Sequence, residues 1–213
     1  MFQKSFGTSG VNAIGSFQLS QLNSSSVQSK LKAAGINTNS KQYKAAVKQM
    51  MSAGNGAMYG NIQGIKNLMS HYDKDGDYIN PVNRLSGLLV TDENESSRKR
   101  IISIPDSSKE EMYELTKKEF LRENGVHNGD TTKRTDVYNN LYRKMPKKDR
   151  LAAGYTLEKY ERIYRQAFYD AAKKADPNWE IGKPIKDGAL DSVTRETAES
   201  GKSPAQATLD TKI

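Results

Sequence analysis

Residues 156–174 read TLEKYERIYRQAFYDAAKK. Leu157, Tyr160, Tyr164, Ala167, Phe168 and Ala171 recur there at intervals of three and four, which lines one side of an α-helix with apolar groups. Thr156 stands where an N-cap belongs, so the spacing predicts the longest helix of the chain from Thr156 to Lys174. The same period, less sustained, predicts helices over 26–34, 40–53, 61–72, 132–144 and 190–199, with a short segment from Pro146 to Gly154. Ser107 and Glu110 have the spacing of a capping box and are predicted to open a further helix reaching Glu123. The fold is therefore predicted to be mainly α.

Two runs break this pattern. Residues 88–91 and 100–104 are short, apolar and strand-like, with the polar stretch 92–99 between them, which predicts one small β-hairpin. Residues 1–25 are rich in Ser, Asn, Gln and Gly, with scattered Phe and Leu. Such a composition buries too little apolar area to offset the entropy of ordering, and a flexible N-terminal segment is predicted. The expected organisation is that segment, a single helical domain over 26–200 with the inserted hairpin near 88–104, and a polar tail over 201–213.

Composition narrows the function classes. Apolar residues make up 35% of the 213 and charged ones 27%, against an apolar share of about 45–50% in most compact globules. No apolar run approaches the roughly 18–20 residues of a membrane span, and no membrane association is expected. The N-terminus lacks the apolar stretch and cleavage site of a secretory signal. The expectation is a cytoplasmic protein, or one released by a non-classical route. With no cysteine, thiolate chemistry and cysteine-held zinc are excluded.

The net charge of +8 is placed unevenly. No Asp or Glu precedes Asp73, while Lys4, Lys30, Lys32, Lys41, Lys44, Lys48 and Lys66 all do. Beyond Tyr72, 26 basic and 25 acidic residues almost cancel. An excess so located suits an anionic partner, be it nucleic acid, another polyanion or an acidic protein surface, and equally suits a solvated face. Lys30, Lys32, Lys41, Lys44 and Lys48 are the candidate contacts. Residues 31–36, LKAAGI, followed by the lysine-faced helix, loosely resemble a helix-turn-helix. Lys41 stands where such a motif wants an apolar residue, and there is no Arg in this third to read bases.

The most specific local pattern is DKDGDYIN, residues 73–80. Alternating carboxylates on a tight turn suit a hard cation that takes oxygen ligands, chiefly Ca²⁺. The segment resembles the first half of an EF-hand or dockerin calcium loop. That resemblance implies side-chain ligands from Asp73, Asp75 and Asp77 and a backbone carbonyl from Ile79. It departs from the pattern at Tyr78, where a glycine belongs, and at Arg84, where a bidentate acid belongs; Asp92, Glu93 or Glu95 would have to close the site. The alternative is a solvated Asx-turn. Asn80-Pro81 is read as the cap and first position of a short exit helix.

Catalytic signals are weak. His71 and His127 sit in separate segments, in no nucleophile elbow, zincin helix or phosphate loop. The carboxylate pairs Glu110/Glu111 and Glu158/Glu161 lie on helices that also carry Lys and Arg, and surface ion pairing accounts for them. Tyr160 and Tyr164 are read as core; Tyr138 and Tyr169 fit either core or an aromatic–arginine contact surface.

Several stretches, among them SSVQSKLKAAGINTNSKQYKA, IISIPDSSKEEMYELTKKEFLRENGVHNGD and YERIYRQAFYDAAK, resemble an uncharacterised family of Gram-positive bacterial proteins over most of residues 24–195. The resemblance implies one architectural unit and brings no catalytic or ligand residue. The expected function is a non-enzymatic structural or interaction protein, self-assembling through its N-terminal segment, with a weak calcium site; the alternative is nucleic-acid or polyanion binding through the basic first third.

Overall fold

The structure is a computed structural model that describes residues 16–53, 59–128 and 131–200. Residues 1–15 and the polar tail from 201 lie outside it. The protein is mainly α-helical, as its apolar periodicity predicts. Where the sequence reads one helical body, the chain divides into two compact units, Met1–Leu89 and Val90–Ile213.

The first unit is built on three helices and a minimal sheet. Strand β1 (Phe17–Gln18) pairs antiparallel with β2 (Tyr59–Gly60), Phe17 opposite Gly60 and Gln18 opposite Tyr59. Helix α1 (Ser25–Ala33) starts at Ser24, whose hydroxyl accepts the Val27 N–H. It stops at Gly35, which takes φ +77° while Ile36 N–H returns to the Leu31 carbonyl at 3.0 Å and Gly35 N–H to that of Lys32 at 2.9 Å. This is a Schellman ending, with buried Ile36 as its apolar lock. Helix α2 (Lys41–Ala53) is capped by Ser40, which accepts the Tyr43 N–H at 3.1 Å. Helix α3 (Ile62–Met69) is capped by Asn61, which accepts the Gly64 N–H at 2.7 Å. Phe17, Leu19, Leu22, Val27, Leu31, Ile36, Tyr43 and Ile65 form the core.

The flexible segment predicted over 1–25 is therefore wrong from Ser16 onward. Phe17, Leu19 and Leu22 are 3–4% exposed, because three spaced apolar groups suffice when α1 and α3 supply the opposite wall. The first fifteen residues lie outside the described ones.

In the second unit α7 (Arg150–Ala175) packs against α5 (Asp106–Arg122), α6 (Thr131–Lys144), the short α4 (Glu95–Arg98) and α8 (Arg195–Glu199). Met112, Phe120, Leu141, Leu157, Tyr164 and Phe168 are fully buried at its centre. Helix α7 is longer than predicted. Thr156 does not cap it: its hydroxyl bonds back to the Ala152 carbonyl at 2.8 Å, and the helix runs unbroken through Gly154. A Cβ at Gly154 would lie 2.5 Å from the Tyr142 hydroxyl, so glycine is there for close packing rather than as a stop.

The predicted hairpin is absent: residues 88–104 are all described and include no strand. Residues 95–98 form α4, and the run after it finds its partners on α7, where Ile102 N–H donates to the Thr156 hydroxyl at 3.1 Å and Ile104 enters the core. Its apolar residues were answering a helix, not a second strand. The capping box at Ser107 and Glu110 is also not formed; α5 begins after Pro105, Ser107 accepts from Lys144 at 3.1 Å, and Glu110 pairs with Arg195 at 2.8 Å. The final helix is shorter than predicted, Arg195–Glu199, with the capping box made by Thr194 and Thr197.

Candidate functional site

Helix α2 sorts its residues by face. Tyr43 and Ala46 are buried, Val47 and Met50 are half-buried against the core, and Lys41, Lys44 and Lys48 point to solvent. Lys30 and Lys32, near the end of α1, are exposed as well. None of these five lysines forms an ion pair with another described residue. Within residues 1–89 the acids are Asp73, Asp75 and Asp77 alone, against eight lysines and one arginine. The surface is thus uncompensated over most of its extent.

Beside this face lies a cleft of about 580 Å³. Lys44 and Lys48 stand at it, Thr38 and Asn39 precede α2, Gln28 comes from α1, Asn23 from the turn before it, and Tyr43 and Val47 supply apolar surface. Tyr43 is 5% exposed, and its hydroxyl oxygen is shut off from solvent beside Gln28. Burial pushes the phenol pKa up and a side-chain hydrogen bond from Gln28 opposes that rise; the same carboxamide donates its other N–H to the Leu22 carbonyl at 2.8 Å. Sequence reasoning picked out Lys44 and Lys48 and missed the neutral residues beside them. Their signal was present: Tyr43 is the polar-tipped member of an otherwise plain apolar stripe.

The acidic loop follows α3 and is tied to α2. Gln42 donates to the Met69 and Tyr72 carbonyls at 2.9 and 2.8 Å, and Tyr72 donates to Gln49 at 2.8 Å. The three aspartates come together as predicted, one carboxylate oxygen from each lying within 4.8 Å of the others. The Asp73 carboxylate also accepts the N–H groups of Asp75 and Asp77 at 2.9 and 3.0 Å, so it holds the turn in its own right. For Ile79 the structure records an N–H donated to the His71 carbonyl at 2.8 Å. The predicted exit helix does not form; Asn80 instead anchors a turn, accepting from Val82 and Asn83 and from the Arg84 N–H. Asp92, Glu93 and Glu95 belong to the second unit. Chemically the cluster is three oxygen donors, half of what Ca²⁺ takes.

A charge network missed by the sequence reading lies in the second unit. Glu119 on α5 and Glu161 on α7 are 1% and 6% exposed, and Arg134 on α6 joins them at 2.7 and 3.0 Å. His127 contacts Arg134 at 2.9 Å and Glu161 at 3.6 Å. Arg165 donates to the Gly125 carbonyl at 3.1 Å and lies over the Phe120 ring. Burial raises the Glu161 pKa, with Arg134 and Arg165 opposing it; burial, Arg165 and Arg134 lower that of His127. Glu161 is therefore no surface pair-former, as its charged neighbours in sequence suggested, whereas Glu158 does pair with Arg162. The signal was that Glu119 and Glu161 fall on the apolar stripes of their helices.

The tyrosines belong to the core. Tyr164 is fully buried and donates to Glu199 at 2.7 Å, Tyr160 stacks on it, Tyr169 meets Trp179 edge-on, and Tyr138 packs against the same cluster. Helices α1 and α2 are separated by residues 34–40, longer than the three or four residues of a helix-turn-helix turn.

A family model described as "Domain of unknown function (DUF3879)" matches residues 36–213, and the chain belongs to that family. No curated protein and no solved structure matches it.

Proposed function

We propose that this member of the DUF3879 family is a non-catalytic interaction protein whose first unit engages an anionic partner through the lysine surface of α1 and α2. The observation that carries this reading is the exposure of Lys30, Lys32, Lys41, Lys44 and Lys48 on a unit with no acid before Asp73. Lysines without arginine give salt-sensitive, sequence-independent contact. Retention of the full chain on heparin is expected, and replacing Lys41, Lys44 and Lys48 by glutamine should lower the eluting salt. On duplex DNA the dependence of affinity on salt should flatten by about 0.9 for each phosphate that is no longer neutralised. Equal elution of the two proteins overturns the reading. Self-assembly is the rival. Phe17, Leu19 and Leu22 are buried within their own unit, which speaks against residues 16–25 as its arm. Light scattering on the same samples, showing growth without any polyanion, would favour the rival.

The Asp73 loop enters this proposal as a brace rather than a switch. Calcium at ten times its Kd should stabilise the first unit by about 1.4 kcal/mol, and Asp75→Asn should abolish that gain in thermal melts. No shift with calcium, or an equal shift in the variant, removes the cation from the proposal.

A further inference from the structure

We infer that His127 is a proton-operated latch: when neutral it holds residues 123–128 over the Trp179 and Phe120 rings, and in mild acid it lets that segment go. The inference concerns the second unit and stands apart from the lysine surface of the first.

Residues 123–128 follow α5 and lie against the aromatic core. A Cβ at Gly125 would come within 2.9 Å of Trp179 and 3.4 Å of Phe120, so the backbone rests on both rings, and Trp179 is 3% exposed. Side chains of two other helices tie the segment down. Arg165 of α7 donates to the Gly125 carbonyl at 3.1 Å, and Arg134 of α6 donates to His127 Nε2 at 2.9 Å. A guanidinium carries donors only, so the second tie requires Nε2 to accept. It exists while that nitrogen is bare and ends when it takes a proton. About half of the His127 side chain is exposed, so a proton reaches it directly from solvent.

The surroundings of a protonated His127 give the direction. Arg162 and Arg165 of α7 and Arg134 of α6 all oppose an imidazolium. Glu123, on the segment itself, favours it but is engaged by Arg122 and the Asn128 N–H. Glu119 of α5 is held by Arg134 at 2.7 Å, Glu158 pairs with Arg162, and burial keeps the Tyr138 phenol neutral. The nearest acid is Glu161, 3.6 Å from Nε2. Burial raises its pKa, so it too gains a proton as pH falls. Two groups this close titrate as a pair; with both protons bound, a cationic ring faces guanidiniums while its nearest acid is neutral. Burial, Arg165 and Arg134 hold the His127 pKa below the ordinary histidine value. Its contribution is therefore complete above about pH 6.5 and is lost as pH falls through the folded value. Glu161 runs the other way, because a raised carboxylate pKa favours the protonated fold. Acid thus frees the latch while it eases the buried carboxylate.

The test follows the emission maximum and acrylamide quenching of Trp179, the sole tryptophan, in the full chain between about pH 8 and pH 5, the interval in which histidine titrates. Below about pH 6.5 the wild type should shift to longer wavelength and become more quenchable, while its far-UV circular dichroism holds. His127→Gln, whose carboxamide oxygen accepts from Arg134 at any pH, should stay shielded throughout. His127→Lys, which offers only donors, should show the acid signature already at the alkaline end. His71, the only other histidine, lies in the first unit, away from this reporter. Four results would sink the latch: no change in the wild type, loss of helix content along with the shift, a wild-type transition in His127→Gln, or a His127→Lys that remains shielded at the alkaline end.

Discussion

Arg134→Met is expected to destabilise the second unit by about 3–5 kcal/mol, the usual result of removing one member of a buried ion cluster. Arg134 is the cation that reaches both Glu119 and Glu161, at 2.7 and 3.0 Å, and its removal leaves two carboxylates inside the fold. Arg165, whose guanidinium also donates to the Gly125 carbonyl at 3.1 Å, opposes the rise of the Glu161 pKa as the second cation and offsets only part of the loss. The sign with pH is specific. The Glu161 pKa is already raised by burial, with Arg134 the first charge opposing that rise, so the variant should raise it further. A carboxylate whose folded pKa exceeds its unfolded one contributes stability below the unfolded pKa and loses it as pH rises through the folded value. The deficit of Arg134→Met should therefore be smallest in acid and grow toward neutrality. Urea unfolding at several pH values measures this, read through Trp179, the sole tryptophan, which sits in this unit against Phe120 and Tyr169. A pH-independent deficit, or one below about 1 kcal/mol, would show that Glu161 is solvated. Replacing Glu119, Glu161 and Arg134 together by apolar residues should recover much of the loss, as apolar isosteres of buried ion clusters commonly do.

Phe168→Ala should destabilise the same unit to a similar degree, about 3–5 kcal/mol, through transfer and cavity terms. Its ring is fully buried and meets Tyr113 at 5.5 Å and Phe120 at 5.7 Å between ring centres. These contacts clamp α5 onto α7, and Phe120 passes the contact on to Trp179. Phe168→Leu, which keeps most of the volume, should cost less than half as much. The two variants differ from Arg134→Met in their pH response, because no ionisable group changes partner. A loss under about 1 kcal/mol in Phe168→Ala would mean that the neighbouring rings close over the gap and that the packing around this helix is soft.

How far the sequence carries is clearest on α7 itself. Leu157, Tyr164 and Phe168 announced their burial by spacing, since a 3.6-residue repeat maps directly onto a helix face. The start of the same helix did not, because Thr156 is a good cap only when its hydroxyl faces a free N–H, and tertiary contact with Ile102 gave it a different partner. Residues 100–104 misled for a related reason. β-branched residues fit an extended backbone whether the opposing surface is a strand or a helix, and nothing local says which. Of the candidate site, the lysines and the aspartate triad were legible as local charge patterns. The cleft and the Glu119–Arg134–Glu161 network were not, because each gathers side chains from several elements distant in the chain. Only the odd polar member of an apolar stripe, Tyr43, Glu119 or Glu161, hinted at them.

The family's match begins at residue 36, and the first unit's interior does not respect that line. Phe17, Leu19, Leu22, Val27 and Leu31 all lie upstream of it, yet they form the floor on which Tyr43 and Ile65 rest. A recombinant fragment cut at residue 36 would keep α2 and α3 as two amphipathic rods with a greasy side bared to water. Such a fragment would clump for reasons unrelated to any native assembly, and a shared stretch of sequence would have been mistaken for a unit of folding.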